Sequence, residues 1–155
     1  MSIRFFRASA AVSICVVLAA CNPHGQRPGT WLTGTHAAFA TDWGFTANEH
    51  EIAIEVPTPY LIPHSVTIWC ASMDGKLYVG ASNPESKRWP KWADAQPNVR
   101  IKVGDSVYEV HLAQLSEADE IERLRAVYAE KYQLNAGSGV GAIPSVEYWR
   151  VEPRS

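Results

Sequence analysis

Residues 65–81 read SVTIWCASMDGKLYVGA, and this stretch decides the fold of the chain. Its first half is rich in β-branched and aromatic residues, which are typical of strands. Asp74 and Gly75 stand at the centre of a tight turn, and residues 77–81 supply a second apolar strand. An Asp-Gly pair between two such runs predicts an antiparallel β-hairpin.

The sequence before this hairpin predicts one more strand and then a break. Residues 51–56 (EIAIEV) alternate between apolar and other residues at period two, which indicates a half-buried strand. Pro57, Pro59 and Pro63 follow, and proline cannot donate a backbone hydrogen bond to a sheet. We therefore expect an irregular or edge passage over residues 57–63. Residues 31–48 show no clean period, and a short helix near 33–41 is the expectation there.

The sequence after the first hairpin predicts a second one. Residues 99–103 alternate, Gly104 and Asp105 supply the turn, and residues 106–112 return. Residues 145–151 predict a last strand. Several antiparallel strands with helices between them predict an α+β fold, a small antiparallel barrel of about six strands with two helices.

The two helices are expected at residues 86–96 and 117–132. Ser116 is a suitable N-cap for the second helix, with Asp119 in the capping-box position. Apolar residues then recur at spacings of three and four, which marks one face of an amphipathic helix: Ile121, Leu124, Val127, Tyr128 and Tyr132. The glycines of residues 137–141 predict a loop and do not match a dinucleotide-binding fingerprint.

Residues 1–20 have the layout of a secretory signal, with Arg4 and Arg7 ahead of an uncharged apolar centre. The segment ends in Leu18-Ala19-Ala20-Cys21, which resembles the lipobox of bacterial lipoproteins. The resemblance implies cleavage before Cys21 and lipidation of that cysteine. The alternative is an ordinary signal peptide in which Cys21 is incidental.

The chain therefore divides into a signal peptide (1–20), a lipid-anchored tether rich in Pro and Gly (21–30) and one domain (31–155). The expected location is the bacterial cell envelope, with the protein attached to a membrane through Cys21 and facing the periplasm or the cell surface. Asn22 is not the aspartate associated with inner-membrane retention, which favours the outer membrane.

Composition excludes several classes of function. The 155 residues carry 14 basic and 16 acidic side chains, so the chain lacks the basic excess of a protein whose main partner is nucleic acid. Without residues 1–20, 12 basic residues remain against 16 acidic ones, a net charge of −4. Three cysteines exclude a disulfide scaffold. Cys70 lies in a predicted strand, where a buried, inert thiol is favoured over a reactive one.

The sequence predicts neither a metal site nor a hydrolase active site. The five histidines show no short paired spacing, so we expect no metal site. No Gly-x-Ser-x-Gly elbow marks a hydrolase.

Residues 77–103 (LYVGASNPESKRWPKWADAQPNVRIKV) carry a family resemblance. The parts that matter are Ala81-Ser82-Asn83 after a strand, Ser86-Lys87-Arg88 before a short helix, and Gln96-Pro97-Asn98-Val99 leading into the next strand. This order is similar to the centre of the flavin-binding split β-barrel families, which include pyridoxamine phosphate oxidase-like proteins and their deazaflavin-dependent relatives. The resemblance covers roughly residues 50–153. It departs from the family pattern in the proline-rich residues 57–63 and in Gln96, where the family has asparagine.

The resemblance and the residues together suggest a cofactor-phosphate site at Ser82, Asn83, Ser86, Lys87 and Arg88. Hydroxyls, Lys and Arg bind phosphate oxygens, and a helix N-terminus would add free N–H groups and a favourable dipole. The alternative is a solvated basic turn in which Ser86 merely caps a helix.

Trp69, Trp89 and Trp92 could stack on a flavin ring, or they could belong to the core or to a dimer interface. The resemblance implies a homodimer and an FMN or deazaflavin coenzyme, with Trp69 near the ring. The predicted function is accordingly an FMN- or deazaflavin-binding oxidoreductase-like lipoprotein. The alternative is a non-catalytic envelope lipoprotein that uses the barrel to bind a ligand or a protein.

Overall fold

The computed structural model describes residues 29–134 and 145–154. Cys21, the signal peptide, most of the tether and the glycine-rich residues 137–141 lie outside the described residues. The strands are β1 (Thr35–Ala37), β2 (Glu51–Val56), β3 (His64–Met73), β4 (Lys76–Ser82), β5 (Asn98–Val103), β6 (Ser106–Gln114) and β7 (Val146–Pro153). The helices are α1 (Trp89–Ala95) and α2 (Ala118–Lys131), and single 3₁₀ turns lie at Gly44–Asn48 and Pro84–Ser86.

Six antiparallel strands close into a barrel in the order β2-β3-β4-β7-β6-β5, and β5 pairs back onto β2. This confirms the predicted α+β barrel and both predicted hairpins. The first hairpin turns at Asp74 and Gly75, whose φ angles of +53° and +72° suit an Asp-Gly turn. The short strand β1 extends the sheet by pairing in parallel with the first residues of β6.

The barrel interior is filled by the alternate apolar side chains of all six strands. Trp43 plugs one end, where its backbone N–H donates to Gly75 O of the first hairpin at 2.9 Å. Helix α1 covers the other end with Trp89, which packs against Trp149 at 5.2 Å between ring centroids. The core is therefore one continuous cluster inside the barrel.

Helix α2 packs on the outside of the barrel against β3, β4 and β7. Leu124 and Tyr128 are buried, and the predicted apolar face is confirmed. The predicted cap is wrong: the N-cap is Glu117, in extended conformation, and no side chain caps the helix. The Ser116 hydroxyl instead lies 3.5 Å from the Glu117 carboxylate.

Residues 29–37, which we call the strap, cover a second outer face of the barrel and contain β1. Leu32 packs on Ala53 and Val107, and its backbone N–H donates to the buried Glu55 carboxylate. Arg100 donates to Leu32 O at 3.0 Å. The helix expected near residues 33–41 is therefore wrong, because side chains of the barrel wall and strand β6 take up the backbone groups that a helix would have used.

Candidate functional site

The pairing between β3 and β4 ends partway along the two strands. The ladder between these strands joins Cys70–Met73 to Lys76–Val79, in the half nearest the turn. Beyond it, β3 continues along β2 to His64, and β4 continues along β7 to Ser82. We call the space between residues 64–69 of β3 and residues 80–82 of β4 the opening.

Trp69 lies at the start of the opening, one residue beyond the last paired residue of β3. Its neighbours Ile68 and Cys70 point into the core, so the side chain of Trp69 faces outward, where it is 40% exposed. Tyr132, the C-cap residue of α2, stacks on the indole with ring centroids 4.2 Å apart and planes 7° apart. One face of Trp69 is thus backed by the protein, and part of the ring remains open to solvent.

The opposite flank of the opening is the turn of residues 82–88, which we call the basic turn. Lys87 Nζ donates to Ser82 O at 2.6 Å and to Ser82 Oγ at 3.2 Å. Ser86 Oγ donates to Asn83 O at 2.7 Å, and Asn83 has a left-handed φ of +49°. Arg88 is exposed. Hydrogen bonds therefore join Ser82, Asn83, Ser86 and Lys87 in one turn, and Arg88 follows it as an exposed residue. Ser82, like Trp69, points out of the barrel.

The helix following this turn begins later than predicted. Lys87 is extended (φ −109°, ψ 150°) and separates the 3₁₀ turn at Pro84–Ser86 from α1, which starts at Trp89. Ser86 consequently does not cap α1, and Arg88 occupies the N-cap position without a side-chain cap bond. Any anion at the basic turn would be held by side chains rather than by a helix dipole.

The three tryptophans do not form one wall. Trp89 is buried inside the barrel end, as the core-packing alternative predicted. Trp92 is half-buried on α1 and contacts Tyr60 and His64 edge-on at 5.9 Å and 5.5 Å. Trp69 is on the outer face of β3, so it is the member of the set that is placed beside the opening.

The structure has a concave surface away from the opening that the sequence did not predict. It is a cleft of about 330 Å³ lined by Glu55, Pro57, Thr58, Leu61, Pro63, Gln96, Asn98, Val99, Arg100 and Arg154. None of the predicted site residues lines it. These residues come from β2, the proline-rich passage, the end of α1, β5 and the residue that follows β7, so no local motif predicts the cleft. Glu55 was the available signal, but its position in an alternating strand predicts a solvated side chain.

Cys70 is free and fully buried, as predicted. Burial raises the pKa of its thiol to about 11, although the Lys131 ammonium at 3.8 Å opposes this shift. A thiol that holds its proton so firmly is a poor nucleophile near neutral pH. Cys70 therefore belongs to the core rather than to a reactive site.

The described residues contain neither a cluster that could bind a metal ion nor a helix that could span a membrane. Residues 29–134 and 145–154 bring no group of three His, Cys, Asp or Glu side chains together in an arrangement that could bind a metal ion. In the same residues, neither helix has the length and apolar character needed to cross a membrane.

The six-stranded antiparallel barrel has a split-barrel fold. The family described as "Uncharacterized protein conserved in bacteria" (DUF2255) matches residues 45–148, and the chain belongs to that family. The match lies within the domain expected at residues 31–155. No protein with a curated description matches the chain.

Solved structures with the same fold include reductase and oxidase relatives. The chain is similar to an F420-H2-dependent reductase (FDR-A), with 17% identity and a TM-score of 0.54 over 67% of this chain and 95% of that one. It is also similar to a candidate pyridoxamine 5'-phosphate oxidase from Listeria innocua, with 15% identity and a TM-score of 0.52 over 69% and 86%. A third structure, described as a domain-swapped dimer, shares 19% identity and a TM-score of 0.54 over 67% and 81%. Identities this low show the shared fold.

Proposed function

We propose that the protein binds a flavin-type coenzyme, FMN or a deazaflavin, and acts as an oxidoreductase of the bacterial cell envelope. The observation that carries this proposal is that Trp69 and the start of the basic turn both lie along the stretch where β3 and β4 are no longer paired. An aromatic ring on one side and two adjacent cations on the other match the two ends of such a coenzyme.

The residues fit both parts of the coenzyme. Lys87 and Arg88 offer positive charge and several donors to a phosphate, with the hydroxyls of Ser82 and Ser86 alongside. Trp69, held against Tyr132, offers an ordered aromatic surface to a planar ring. The isoalloxazine or deazaflavin ring supplies the redox chemistry when bound, and this chain supplies position and charge.

The relatives support the same class of coenzyme. One similar structure is named an F420-H2-dependent reductase and another a candidate pyridoxamine 5'-phosphate oxidase. Because function depends on sites rather than on folds, the side chains of the opening carry the proposal and the shared fold only adds to it.

Titration of the protein with FMN and with the deazaflavin coenzyme tests the proposal. We expect micromolar binding. The double substitution Lys87→Ala/Arg88→Ala should weaken it at least tenfold, because the loss of charged contacts to the phosphate should cost more than about 1.4 kcal/mol of binding free energy. Arg123→Ala/Arg125→Ala removes two charges from the exposed part of α2 and is the matched control, expected to bind as the unaltered protein does. Failure to bind either coenzyme, or equal weakening by both double substitutions, would contradict the proposal.

The cleft supports one alternative function. Its volume of about 330 Å³ suits a small ligand away from the opening. Arg100 is paired with Glu55, so Arg154, whose ion pair with Glu109 is about half exposed, is the cation that an anionic group would meet there. In this alternative the protein is a non-catalytic binding module of the envelope. Two results together would favour the alternative. The protein would bind neither coenzyme, and a small carboxylate would raise the melting temperature of the unaltered protein but not that of Arg154→Ala.

We also propose that the protein is a lipoprotein whose mature chain begins at acylated Cys21. The ordered signal ending in Leu-Ala-Ala-Cys supports this. Several acyl chains on one cysteine would hold the protein firmly, because each buried CH₂ adds about 0.8 kcal/mol. Intact mass of the protein extracted from membranes decides the matter: a mass without acyl chains, or a different first residue, would contradict it.

A further inference from the structure

Four exposed apolar side chains gather at one end of the barrel. Trp31, Tyr60, Leu61 and Ile62 are 56%, 55%, 91% and 49% exposed, and we call them the apolar end. They are four of the seven large apolar side chains that are exposed in the described parts of the chain. Tyr60, Leu61 and Ile62 form the tip of the passage between β2 and β3, and Trp31 belongs to the strap.

The tip of this passage is a built turn. Thr58 Oγ1 donates to Ile62 O at 2.7 Å, and Leu61 N donates to Thr58 O at 3.3 Å. Tyr60 is braced edge-on against Trp92 of α1. Leu61 has a left-handed φ of +67°, which a side chain larger than glycine adopts only when its surroundings impose it. The turn therefore holds a leucine outward at a conformational cost.

The chain enters the domain beside the same turn. Gly29 N donates to Ser65 O at 2.8 Å, and Ser65 lies two residues beyond Pro63. Trp31 lies between Gly29 and Leu32 in the chain. The backbone N–H of Leu32 donates to the Glu55 carboxylate. Since Glu55 pairs with Ser65 across β2 and β3, Trp31 lies at this end of the barrel as well.

Only eight residue steps separate Cys21 from Gly29. A fully extended chain of that length spans at most about 28 Å. A lipid on Cys21 would therefore keep the membrane within this distance of the apolar end. The opposite end, at the turn of Asp74, is farther away by the length of β3, about 30 Å for a strand of ten residues.

We propose that the apolar end rests on the bilayer to which Cys21 is anchored, so that Leu61 and Ile62 enter the interface and Trp31 and Tyr60 lie at headgroup level. Tryptophan and tyrosine favour that level because their rings are apolar and their N–H or O–H groups remain hydrated. This inference rests on the proposed lipidation of Cys21. It fixes the orientation of the barrel on the membrane, with the cleft that Leu61 and Pro63 line at the membrane end.

The experiment places a fluorescent label at Leu61→Cys in the processed protein, reconstituted in phosphatidylcholine–phosphatidylglycerol vesicles that contain nitroxide lipids. The matched control is Glu122→Cys, an exposed position of α2 next to the Arg123–Asp74 ion pair at the opposite end. Cys70 is buried and should take no label. We expect at least threefold stronger quenching at position 61 than at position 122. Equal quenching at the two positions, or no quenching at position 61, overturns the proposal.

Two further measurements distinguish membrane docking of the apolar end from the lipidation of Cys21 and from dimerisation through the same surface. Intact mass of the same samples shows whether Cys21 is acylated. If Cys21 is not acylated, the unlabelled protein is tested for flotation with the vesicles. Binding that falls at least tenfold in Leu61→Ser/Ile62→Ser supports docking of the apolar end without the anchor. No binding of the unaltered protein overturns the proposal. If Leu61→Ser/Ile62→Ser instead converts a dimer to a monomer in detergent, and position 61 is not quenched, the apolar end contacts a second copy and the proposal is wrong.

Discussion

Glu55 shows how one residue can join two parts of this fold. Its carboxylate is 7% exposed and contacts Arg100 Nη1 at 3.0 Å, while it also accepts the N–H of Leu32. The Nε–H of Arg100 is buried and has no acceptor among the described residues. The Arg100 guanidinium is therefore held by its hydrogen bonds to Glu55 and to Leu32 O. A buried charge that loses its partner is strongly destabilising.

We therefore predict that Glu55→Ala lowers the free energy of unfolding by about 3–5 kcal/mol, measured by urea denaturation. Glu109→Ala is the matched control, because it removes an ion pair with Arg154 in which both side chains are about half exposed. That loss should cost at most about 1 kcal/mol. If the two substitutions cost the same, Glu55 does not hold the strap as described.

The positions of individual residues could be predicted from the sequence where contacts with residues nearby in the chain determine them. The basic turn is such a case, since its hydrogen bonds join residues no more than five apart. The burial of Cys70 followed from its strand. The role of Glu55 could not be predicted, because its partners Leu32 and Arg100 are 23 and 45 residues away in the chain.

At the scale of elements, helix α2 is fixed to the barrel by a polar contact as well as by its apolar face. Tyr78 of β4 donates to Glu120 Oε1 at 2.8 Å, and Arg150 of β7 donates to the same carboxylate at 3.1 Å. Partial burial alone would raise the pKa of Glu120, but these bonds outweigh it and hold the pKa below its ordinary value of 4.5. Burial and the same contact raise the pKa of Tyr78 to about 12.

This contact predicts how stability depends on pH. Because the pKa of Glu120 is lower in the folded protein than in the unfolded chain, its contribution is fully present above about pH 4.5 and is lost as the pH falls through the folded pKa. Urea denaturation between pH 7 and pH 3 should therefore show a steeper loss of stability in the unaltered protein than in Glu120→Gln. Glu122→Gln, on the exposed side of the same helix, should follow the unaltered protein. Parallel curves for all three would contradict this account.

The elements that the sequence predicted are those with local signals. Both hairpins have adjacent strands joined by a short turn, and α2 repeats apolar residues every three or four positions. The helix expected near residues 33–41 was wrong, and strand β1 could not be predicted because its pairing partner, β6, begins about 70 residues later in the chain. The opening was also hidden, since it arises where β3 and β4 leave each other for different neighbours.

At the scale of the whole molecule, we predict a homodimer. A domain of this size buries a modest core by itself, so a second copy would add buried apolar surface. Exposed Trp69, Phe45 and Leu134 offer apolar surface away from the apolar end. Sedimentation of the protein in detergent should give twice the mass of one chain after correction for lipid and detergent. A single-chain mass at micromolar concentration would contradict this prediction.

The proposed function depends on a flavin-type coenzyme bound at the opening. The decisive measurement is the visible absorption spectrum of the protein purified from bacterial membranes without added coenzyme. We expect an absorption band of bound FMN or deazaflavin, close to one coenzyme per chain, which denaturation releases for identification by mass spectrometry. The band should be lost from Lys87→Ala/Arg88→Ala and retained in Arg123→Ala/Arg125→Ala. A colourless protein that also takes up neither coenzyme on titration would contradict the claim.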